Sequence, residues 1–432
     1  MTVIDLGDRT ERIDPRRRHR IVPSRWLLVP VALVVLLALT SAVPPARRMQ
    51  AILPSSLAAE VILPGGGQIL AVAPATGSAE GGQELLAYQP PARATGSLQQ
   101  LTPLWRRPLG VVEPVRVERV NDSTLVISVF DSAEGAQSLL LDSRTGELRW
   151  RRPGMVVLVE PDRVILRSHD SQGLDQLTTL EVASGRELWS VPSARAVWPL
   201  YHLAAPVIDV VAVAKVSGEI EVLDARTGAL RGRLPAAPDD PANPVSHRYP
   251  MVAGDLLLAW NPSAVTAYDL DGLVRRWHIE VPSLEWIYQC GALLCAPSGR
   301  SRVHLLDPVT GAVRWTAEDD VEVLRAGDRR ALAADHHRQG NLSVVTFDAE
   351  TGQRATAEGS WDLVQDFGNA PHLLGTRAVP GVGAVLARLD PKAGQPRRID
   401  LLPGAVGNCR YRDDLILCRR RDGNFGLWQL PD

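Results

Sequence analysis

The sequence predicts an all-β protein, a β-propeller of four-stranded blades preceded by one transmembrane helix. Three observations lead to this prediction: a strand and turn pattern that recurs along the chain, one uncharged segment near the N-terminus, and arginines concentrated before that segment. A recurring unit of this kind indicates a repeat fold, because each unit must bury its apolar face against the next one.

The recurring stretch reads LLDPVTGAVRW at residues 305–315 and LLDSRTGELRW at residues 140–150. Its apolar run predicts a strand, and the segment from aspartate to glycine predicts a turn. Aspartate suits the start of the turn because its carboxylate bonds backbone N–H groups nearby, and glycine tolerates positive φ at the end. Aligned on the glycine, the copies are separated by 39, 43, 44, 39, 41 and 42 residues. This period is typical of a propeller blade, at about 40 to 45 residues.

The motif residues are interpreted as structural, because they form a hairpin. They are Asp142, Gly146 and Trp150; Gly185 and Trp189; Asp224 and Gly228; Gly272 and Trp277; Asp307, Gly311 and Trp315; Asp348 and Gly352; and Asp390 and Gly394. Glu181 replaces the aspartate in one copy, and Trp277 lies one residue further from its glycine than the other tryptophans do. Arg231, Thr356 and Arg398, or their neighbours, replace the tryptophan elsewhere.

The blade count follows from the copies at the two ends of the pattern. Trp105 marks a degenerate first copy, and residues 426–430 mark a last copy that ends before its outer strand. Eight complete units and one partial unit favour eight blades, with seven and nine as alternatives. Closing a ring requires the termini to meet, and a strand near residues 59–63 is expected to supply the missing outer strand.

With its Asp, Thr-Gly and Trp signature, the chain from about residue 59 to 432 resembles the quinoprotein-like (PQQ-like) propellers. Quinoprotein dehydrogenases and scaffold propellers of the BamB type share this signature. The resemblance implies that Trp150, Trp189, Trp277 and Trp315 pack between neighbouring blades. It also implies eight blades as the usual number.

Composition agrees with one large ring and argues against a charge-driven role. The chain has 432 residues, 45% of them hydrophobic, and a formal net charge of −2. No strong field therefore draws the protein to nucleic acid. Arginine greatly outnumbers lysine, which occurs only as Lys215 and Lys392, and this bias is interpreted as a codon effect.

Residues 26–43 form an uncharged apolar segment of 18 residues, about the length that crosses a bilayer (~17 to 25 residues). Seven arginines precede it and only Arg47 and Arg48 follow it closely. The excess of positive charge places the tail in the cytoplasm and the propeller outside. A cleaved signal peptide is the alternative, with Thr40 and Ala42 as the small residues before its cleavage site.

These features predict four segments and a location. Residues 1–25 form an arginine-rich cytoplasmic tail, 26–43 an uncleaved signal anchor in the cytoplasmic membrane, 44–58 a stalk rich in proline and alanine, and 59–432 the propeller. The protein is thus predicted to be a single-pass membrane protein whose propeller is extracytoplasmic.

The four cysteines form two local pairs, Cys290 with Cys295 and Cys409 with Cys418. The two pairs are several blades apart, beyond the ~7 Å that a disulfide can bridge between Cα atoms. Two local disulfides are therefore predicted, and they match an oxidising compartment. A redox or metal site is the weaker alternative, because Cys-x-x-Cys and clustered histidines are absent.

No residue set in the sequence is assigned to catalysis, and no cofactor is predicted. Family members that hold a quinone use a disulfide between adjacent cysteines, and this chain has no such pair. His336 and His337 are adjacent and would face opposite sides of a strand, so a loop is favoured over a metal site. The run Gly65-Gly66-Gly67 is interpreted as a linker hinge, and Arg419-Arg420-Arg421 as a basic turn.

The favoured hypothesis is a membrane-anchored scaffold in the bacterial cell envelope that binds a protein or glycan through blade-connecting loops and performs no catalysis. The alternative is a quinone- or calcium-dependent oxidoreductase, or a small-ligand binder, that uses the central channel. A sensor that passes a signal inward would need a partner, because the cytoplasmic tail is short.

Overall fold

The computed structural model shows a succession of β-strands within residues Arg48–Asp432. It describes residues 49–75, 82–91, 98–110, 112–131, 135–169, 175–192, 209–215, 217–236, 249–299, 302–317, 321–327, 330–335, 343–354, 361–366, 373–390 and 396–430. The helices and strands assigned in these ranges are all β-strands. The predicted anchor at 26–43 lies outside them, and no helix long enough and apolar enough to cross a membrane occurs among the described residues.

The strands alternate with turns along the whole unit and are numbered in chain order. The first half contains β1 Met49–Leu53, β2 Glu60–Gly65, β3 Gln68–Pro74, β4 Gln83–Tyr88, β5 Gln99–Gln100, β6 Trp105–Gly110, β7 Val112–Asn121, β8 Thr124–Asp131, β9 Gly135–Asp142, β10 Leu148–Pro153, β11 Met155–Val159, β12 Arg163–His169, β13 Asp175–Glu181, β14 Glu187–Pro192, β15 Val210–Ala214, β16 Ile220–Asp224 and β17 Leu230–Leu234.

The second half continues the same alternation up to the C-terminus. It contains β18 Tyr249–Ala253, β19 Leu256–Asn261, β20 Ala264–Asp269, β21 Arg275–Glu280, β22 Tyr288–Cys290, β23 Leu293–Ser298, β24 Arg302–Leu306, β25 Val313–Ala317, β26 Val321–Ala326, β27 Arg330–Asp335, β28 Ser343–Asp348, β29 Trp361–Leu363, β30 Gln365–Asp366, β31 Leu373–Val379, β32 Gly383–Leu389, β33 Arg397–Pro403, β34 Ala405–Arg412, β35 Leu415–Arg420 and β36 Phe425–Gln429.

Most of these strands form antiparallel sheets of four, each from strands that are close in sequence. We number the sheets as repeats: repeat 1 is β2-β3-β4-β6, repeat 2 is β7 to β10, repeat 3 is β11 to β14, repeat 5 is β18 to β21 and repeat 6 is β22 to β25. Repeat 4 has three described strands, β15 to β17. The fold class is therefore all-β with four-stranded sheets, as the sequence predicts.

One sheet of seven strands contains two copies of the repeat. Strands β26 to β28 form repeat 7, and β29 with β31, β32 and β33 forms repeat 8, with β29 pairing to both β28 and β31. Strand β30 pairs in parallel with β34 of the next sheet. The described strands thus contain repeats 1 to 8 and a last sheet, which joins the two ends of the unit.

That last sheet, repeat 9, is closed by the N-terminal strand. Strands β34, β35 and β36 are consecutive, and β1 pairs antiparallel with β36 as their fourth strand. The missing outer strand is therefore Met49–Leu53, and the expectation that residues 59–63 supply it is wrong, because Glu60–Gly65 is the first strand of repeat 1. The predicted stalk at 44–58 likewise contains β1, so the folded unit begins earlier than residue 59.

Nine apolar clusters fill the spaces between repeats in the described chain, and each joins two consecutive repeats. Eight of them connect repeats 1 to 9 in order. The remaining cluster joins Ala51, Leu53 and Leu427 of repeat 9 to Ile69 and Leu86 of repeat 1. The packing therefore forms a closed circuit, in which every sheet buries both faces against neighbours.

Closure by β1 predicts a sharp dependence of stability on where the chain begins. A chain that starts at Ala59 should lose more unfolding free energy than a single buried Leu→Ala change does, about 2 to 5 kcal/mol. The reason is that Ala51 and Leu53 are fully buried and β36 loses its partner strand. Urea unfolding followed by tryptophan fluorescence measures the loss. A chain that starts at Arg48 is the matched control, and equal stability of the two chains would refute closure by β1.

Candidate functional site

The predicted aspartate turns share one hydrogen-bond arrangement. In the first of them, Asp142 Oδ1 accepts the backbone N–H groups of Arg144 at 2.9 Å and Thr145 at 3.1 Å. The backbone N–H of Gly146 donates to the carbonyl of Asp142, and Gly146 has a φ of 72°. The same carboxylate arrangement recurs at Asp224, Asp269, Asp307 and Asp348.

An arginine seven residues after the aspartate completes most of these turns, and the sequence interpretation missed it. Arg149 Nη2 lies 2.6 Å from Asp142 Oδ2, and the pairs Arg231 with Asp224, Arg276 with Asp269 and Arg314 with Asp307 repeat this contact. The fixed spacing of seven residues between aspartate and arginine was visible in the sequence, and a codon bias toward arginine does not explain it. These arginines fasten the turn to the fourth strand of the same repeat.

The turn contacts hold the aspartates in their charged form. The hydrogen bond from Arg231 lowers the pKa of Asp224 well below its ordinary 3.8, and bonds from the backbone N–H and hydroxyl of Thr227 lower it further. The arginine bond is also the main cause of the lowered pKa of Asp142, Asp269 and Asp307. A structural turn accounts for these shifts, and no catalytic role is needed.

The motif tryptophans pack against the turn of the following repeat. Trp150 Nε1 donates to the carbonyl of Val182 at 2.9 Å, and a Cβ atom on Gly185 would lie 2.8 Å from Trp150 Cγ. Glycine is required there because the indole leaves no room for a side chain. The same pairing joins Trp105 to Gly146, Trp189 to Gly228, Trp277 to Gly311 and Trp315 to Gly352.

Where repeats 4 and 5 meet, the tryptophan position is a glycine, and the turn position that is glycine elsewhere is a leucine. The left-handed turn position of repeat 5 is Leu273, with a φ of 51°, and its N–H donates to the carbonyl of Asp269. The turn glycine is therefore not Gly272, and Trp277 follows Leu273 at the ordinary interval. In repeat 4 the tryptophan position is Gly232 and not Arg231. A Cβ atom on Gly232 would lie 2.6 Å from Leu273 Cδ1, so leucine fills the space that tryptophan occupies elsewhere.

The remaining motif positions fall partly outside the described chain. Glu181 replaces aspartate, and it accepts a hydrogen bond from Ser184 Oγ at 2.5 Å. Asp390 is described, whereas Gly394 and Thr356 lie outside the described residues. The described motif residues of repeats 2 to 7 contribute to turns or to packing between repeats.

Both predicted disulfides are present, Cys290 with Cys295 and Cys409 with Cys418. Each lies across the first and second strands of its repeat, β22 with β23 and β34 with β35. The described chain has no free cysteine. The disulfides therefore fasten the inner strands of repeats 6 and 9.

Five exposed apolar side chains lie at one end of their sheets. Leu57 precedes β2, Trp286 precedes β22, Val406 begins β34, Val382 lies between β31 and β32, and Phe130 ends β8. In an antiparallel repeat these positions are all at the end where the first strand begins. We call this end the entry end, and the aspartate turns lie at the opposite end.

A pocket of about 260 Å³ opens where repeats 9 and 1 meet. We call it the seam pocket. Its lining includes Leu57, Val61 and Phe425 as apolar groups and Glu60, Arg410 and Arg419 as charged groups. It thus combines an apolar wall with two guanidinium groups, close to the entry end.

Arg419 has a structural role at this seam. Its guanidinium donates to five acceptors in segment 55–59 and at Gly423, among them Ala59 O at 2.8 Å and Gly423 O at 2.7 Å. It also stacks on the ring of Phe425 at 3.8 Å. Arg419 therefore holds the chain between β1 and β2, and the expectation of a simple basic turn was incomplete.

The glycine run is a tight turn and not a linker hinge. Gly65, Gly66 and Gly67 join β2 to β3, with φ values of 97°, 63° and 71°. Arg119 Nε donates to Gly65 O at 2.7 Å. A Cβ atom on Gly66 would lie 2.8 Å from that Nε atom, so glycine lets the arginine of repeat 2 reach this turn.

Among the described residues, no group of three or more His, Cys, Asp or Glu side chains could hold a metal ion. His336 and His337 lie outside the described residues. Three described side chains form a chain of contacts, with Ser298 Oγ 2.9 Å from His304 Nε2 and Thr316 Oγ1 3.0 Å from His304 Nδ1. Burial lowers the pKa of His304, and the group joins strands β23, β24 and β25.

One family model and several solved structures match this chain. The family model described as outer membrane protein assembly factor BamB matches residues 94–316, just over half of the chain. BamB from Moraxella catarrhalis is 17% identical, with a TM-score of 0.42, over 87% of this chain and 99% of that chain. The C-terminal WD40 domain of Sif2 is 10% identical, with a TM-score of 0.45, over 90% and 97% of the two chains. No curated protein matches the sequence.

The exchange between repeats 4 and 5 predicts a coupled pair of substitutions. Gly232→Trp alone should destabilise the protein by about 1 to 3 kcal/mol, because the indole overlaps Leu273. Adding Leu273→Gly should recover most of that loss, since it recreates the tryptophan and glycine pair of the other repeats. A double-mutant cycle of urea unfolding measures the coupling. A double variant as unstable as Gly232→Trp would show that the two positions do not compensate.

The aspartate turns predict a pH-dependent contribution to stability. The lowered pKa of Asp224 stabilises the fold above the ordinary pKa of 3.8, and the contribution is lost as pH falls through the native pKa. The difference in Tm between the wild type and Asp224→Asn should therefore be largest above about pH 4 and shrink in more acid buffer. Asp271→Asn, in the exposed turn of the next repeat, is the control. A difference that stays constant between pH 6 and the lowest pH reached would contradict the assignment.

Proposed function

The chain belongs to the PQQ-like propeller family of the outer membrane protein assembly factor BamB, and from this premise we propose that it is a binding scaffold of the cell envelope. Its ring would present a rigid surface to a protein partner and would perform no catalysis. Scaffold propellers act through loops held on a stiff framework. Family membership supports the fold and the class of role, whereas the partner has to be inferred from this chain's own surface.

The observation that carries the proposal is the position of the two exposed aromatic side chains, since exposed aliphatic side chains such as Val274 and Val309 also occur at the opposite end. Trp286 is 47% exposed and Phe130 is 53% exposed, and both lie at the entry end. Exposed aromatic residues are typical anchors of protein interfaces. The motif residues act in the turns at the opposite end and in the packing between repeats, so they leave the entry end available to a partner.

Neighbouring first strands run in the same direction, which supports a common entry end. Gly291 at the end of the first strand of repeat 6 forms a parallel bridge to Ala326 of repeat 7, and β30 is parallel to β34. With this direction kept around the ring, the entry ends of all repeats form one face. We propose that this face binds the partner.

We propose nine blades in the ring. The nine clusters between repeats, with the last joining repeat 9 to repeat 1, support this number over the usual eight of the family. The number of blades is hard to read from the sequence because two sheets do not follow the regular pattern of four strands. Repeats 7 and 8 share one sheet, and repeat 9 takes its fourth strand from the N-terminus.

We propose that residues 26–43 anchor the protein in the cytoplasmic membrane and that the ring is extracytoplasmic. The uncharged segment and the arginines before it support this topology. The two disulfides support an oxidising compartment. Cleavage after Ala42 would leave β1 intact, so both membrane hypotheses are compatible with ring closure.

The test combines topology with site-specific crosslinking in intact cells. A fusion of alkaline phosphatase after the C-terminus should be active, and activity only from a cytoplasmic reporter would overturn the topology. A photo-crosslinking residue at Trp286 should then capture a reproducible envelope protein. The control position is Val309, which is exposed in an aspartate turn at the opposite end. Equal capture from both positions, or none from Trp286 and Phe130, would contradict docking at the entry end.

A further inference from the structure

Trp286 lies on a loop that hydrogen bonds hold to the repeats on either side. This loop is segment 281–287, which joins the last strand of repeat 5 to the first strand of repeat 6. We call it the Trp286 loop. Its backbone N–H groups donate to the carbonyls of Pro262 in repeat 5 and Pro297 in repeat 6, both at 2.9 Å. The loop is therefore fixed to both repeats between which it passes.

Buried side chains hold the same loop from below. Three of its apolar residues are buried in the cluster between repeats 5 and 6: Val281, Leu284 and Ile287. Ser283 has a φ of 59°, and its carbonyl accepts the backbone N–H of Gly299 at 2.9 Å. A strained conformation of this kind persists only where the surrounding structure determines it. The support of Trp286 is therefore rigid.

Trp286 differs from the other tryptophans that the structure describes. Those are buried or half-buried, as Trp150 and Trp277 are, whereas Trp286 is 47% exposed. An exposed indole on a rigid loop loses little freedom on binding, so it can act as an interface anchor. The face of an indole also attracts cations, because the ring has a quadrupole with negative faces. Trp286 thus offers apolar area and affinity for a positive charge.

The Trp286 loop and its surroundings carry negative charge. Residues 277–299 include two acidic residues, Glu280 and Glu285, and no arginine or lysine. Both glutamates are exposed, and the adjoining turn at 261–264 is uncharged. Exposed charges act over about 10 Å at moderate ionic strength. The two carboxylates therefore give the surface around Trp286 a negative potential.

A third carboxylate extends this potential toward repeat 7. Tyr288 follows Trp286 by two residues, and its hydroxyl donates to the carbonyl of Val323 at 3.0 Å. Burial raises the pKa of Tyr288, and the charge of Glu322 raises it further. Arg302, the next arginine that the structure describes after the loop, begins β24 and opposes this potential. The acidic residues around the loop therefore outnumber the arginine.

We propose that Trp286 binds an arginine or lysine side chain of the partner protein, with the cation over the indole face and with Glu280 and Glu285 supplying negative potential. This inference rests on the proposed docking function, because it assigns the partner's chemistry at the entry end. The sequence repeats the combination of an exposed aromatic and an acidic residue at Phe130, which Asp131 follows. A neutral glycan would gain nothing from these carboxylates, so a basic protein segment is favoured.

The test uses the full chain in detergent and a capped arginine-glycine-arginine tripeptide as the probe, with affinity measured by ligand-observed NMR titration. Trp286→Leu should weaken binding roughly threefold to tenfold, because apolar contact stays but the ring is lost. Trp286→Phe should keep most of the affinity, because it keeps a ring face. Glu285→Gln should weaken binding about twofold to fivefold. Glu147→Gln, an exposed glutamate in an aspartate turn at the opposite end, is the matched control and should change nothing.

Three outcomes would overturn the inference. The first is equal affinity for a glutamine-glycine-glutamine tripeptide, which lacks the charge. The second is wild-type affinity of Trp286→Leu, a change at an exposed residue that leaves the fold intact. The third is binding of the neutral oligosaccharide chitotriose while the arginine peptide does not bind. If the arginine peptide fails while crosslinkers at Trp286 and Phe130 still capture an envelope protein, the inference is wrong and the docking function stands. Peptide binding without any captured partner would refute docking alone.

Discussion

Packing between successive sheets is the constraint on which the rest of the structure depends. A four-stranded sheet has two faces, and in this chain both carry apolar side chains that only neighbouring sheets can bury. Here each face is buried against the next repeat, with an indole of one repeat seated on the turn glycine of the next, as Trp150 is on Gly185. At most of these turns an aspartate and an arginine fix the position of the glycine, as Asp142 and Arg149 do at Gly146. The hydrogen bonds within a turn therefore position the glycine against which the tryptophan of the preceding repeat packs.

Because each contact involves only neighbouring repeats, a deviation can be compensated locally. Gly232 removes an indole, and Leu273 of the next repeat fills the space from the other side. The leucine adopts a left-handed φ of 51°, which costs about 1 to 2 kcal/mol for a residue with a Cβ atom. Burial of the leucine side chain offsets this cost. In this pair, each residue fits the interface because of the other.

Local signals in the sequence were sufficient for the repeats but not for the seam. The turn residues follow local rules, so the positions of Asp142, Gly146 and their equivalents could be predicted from spacing. Searching for glycine misplaced the turn of repeat 5, because Leu273 is permitted there only by Gly232, 41 residues earlier. Strand β1 carries no turn signature, and its partner β36 is at the other end of the chain. The place of β1 in the fold depends on its pairing with β36, and no local sequence pattern indicates that pairing.

The seam differs from the other interfaces because it leaves a pocket open. At five other interfaces an indole and a glycine fill the space between repeats, and any opening there would remove buried contacts. At the seam the fourth strand comes from the N-terminus, and the chain must cross from β1 to β2 over the entry end. Arg419 holds that crossing by hydrogen bonds to its backbone, and a disulfide holds the irregular β34. Because these contacts replace close packing, a pocket can remain open there without loss of ring closure.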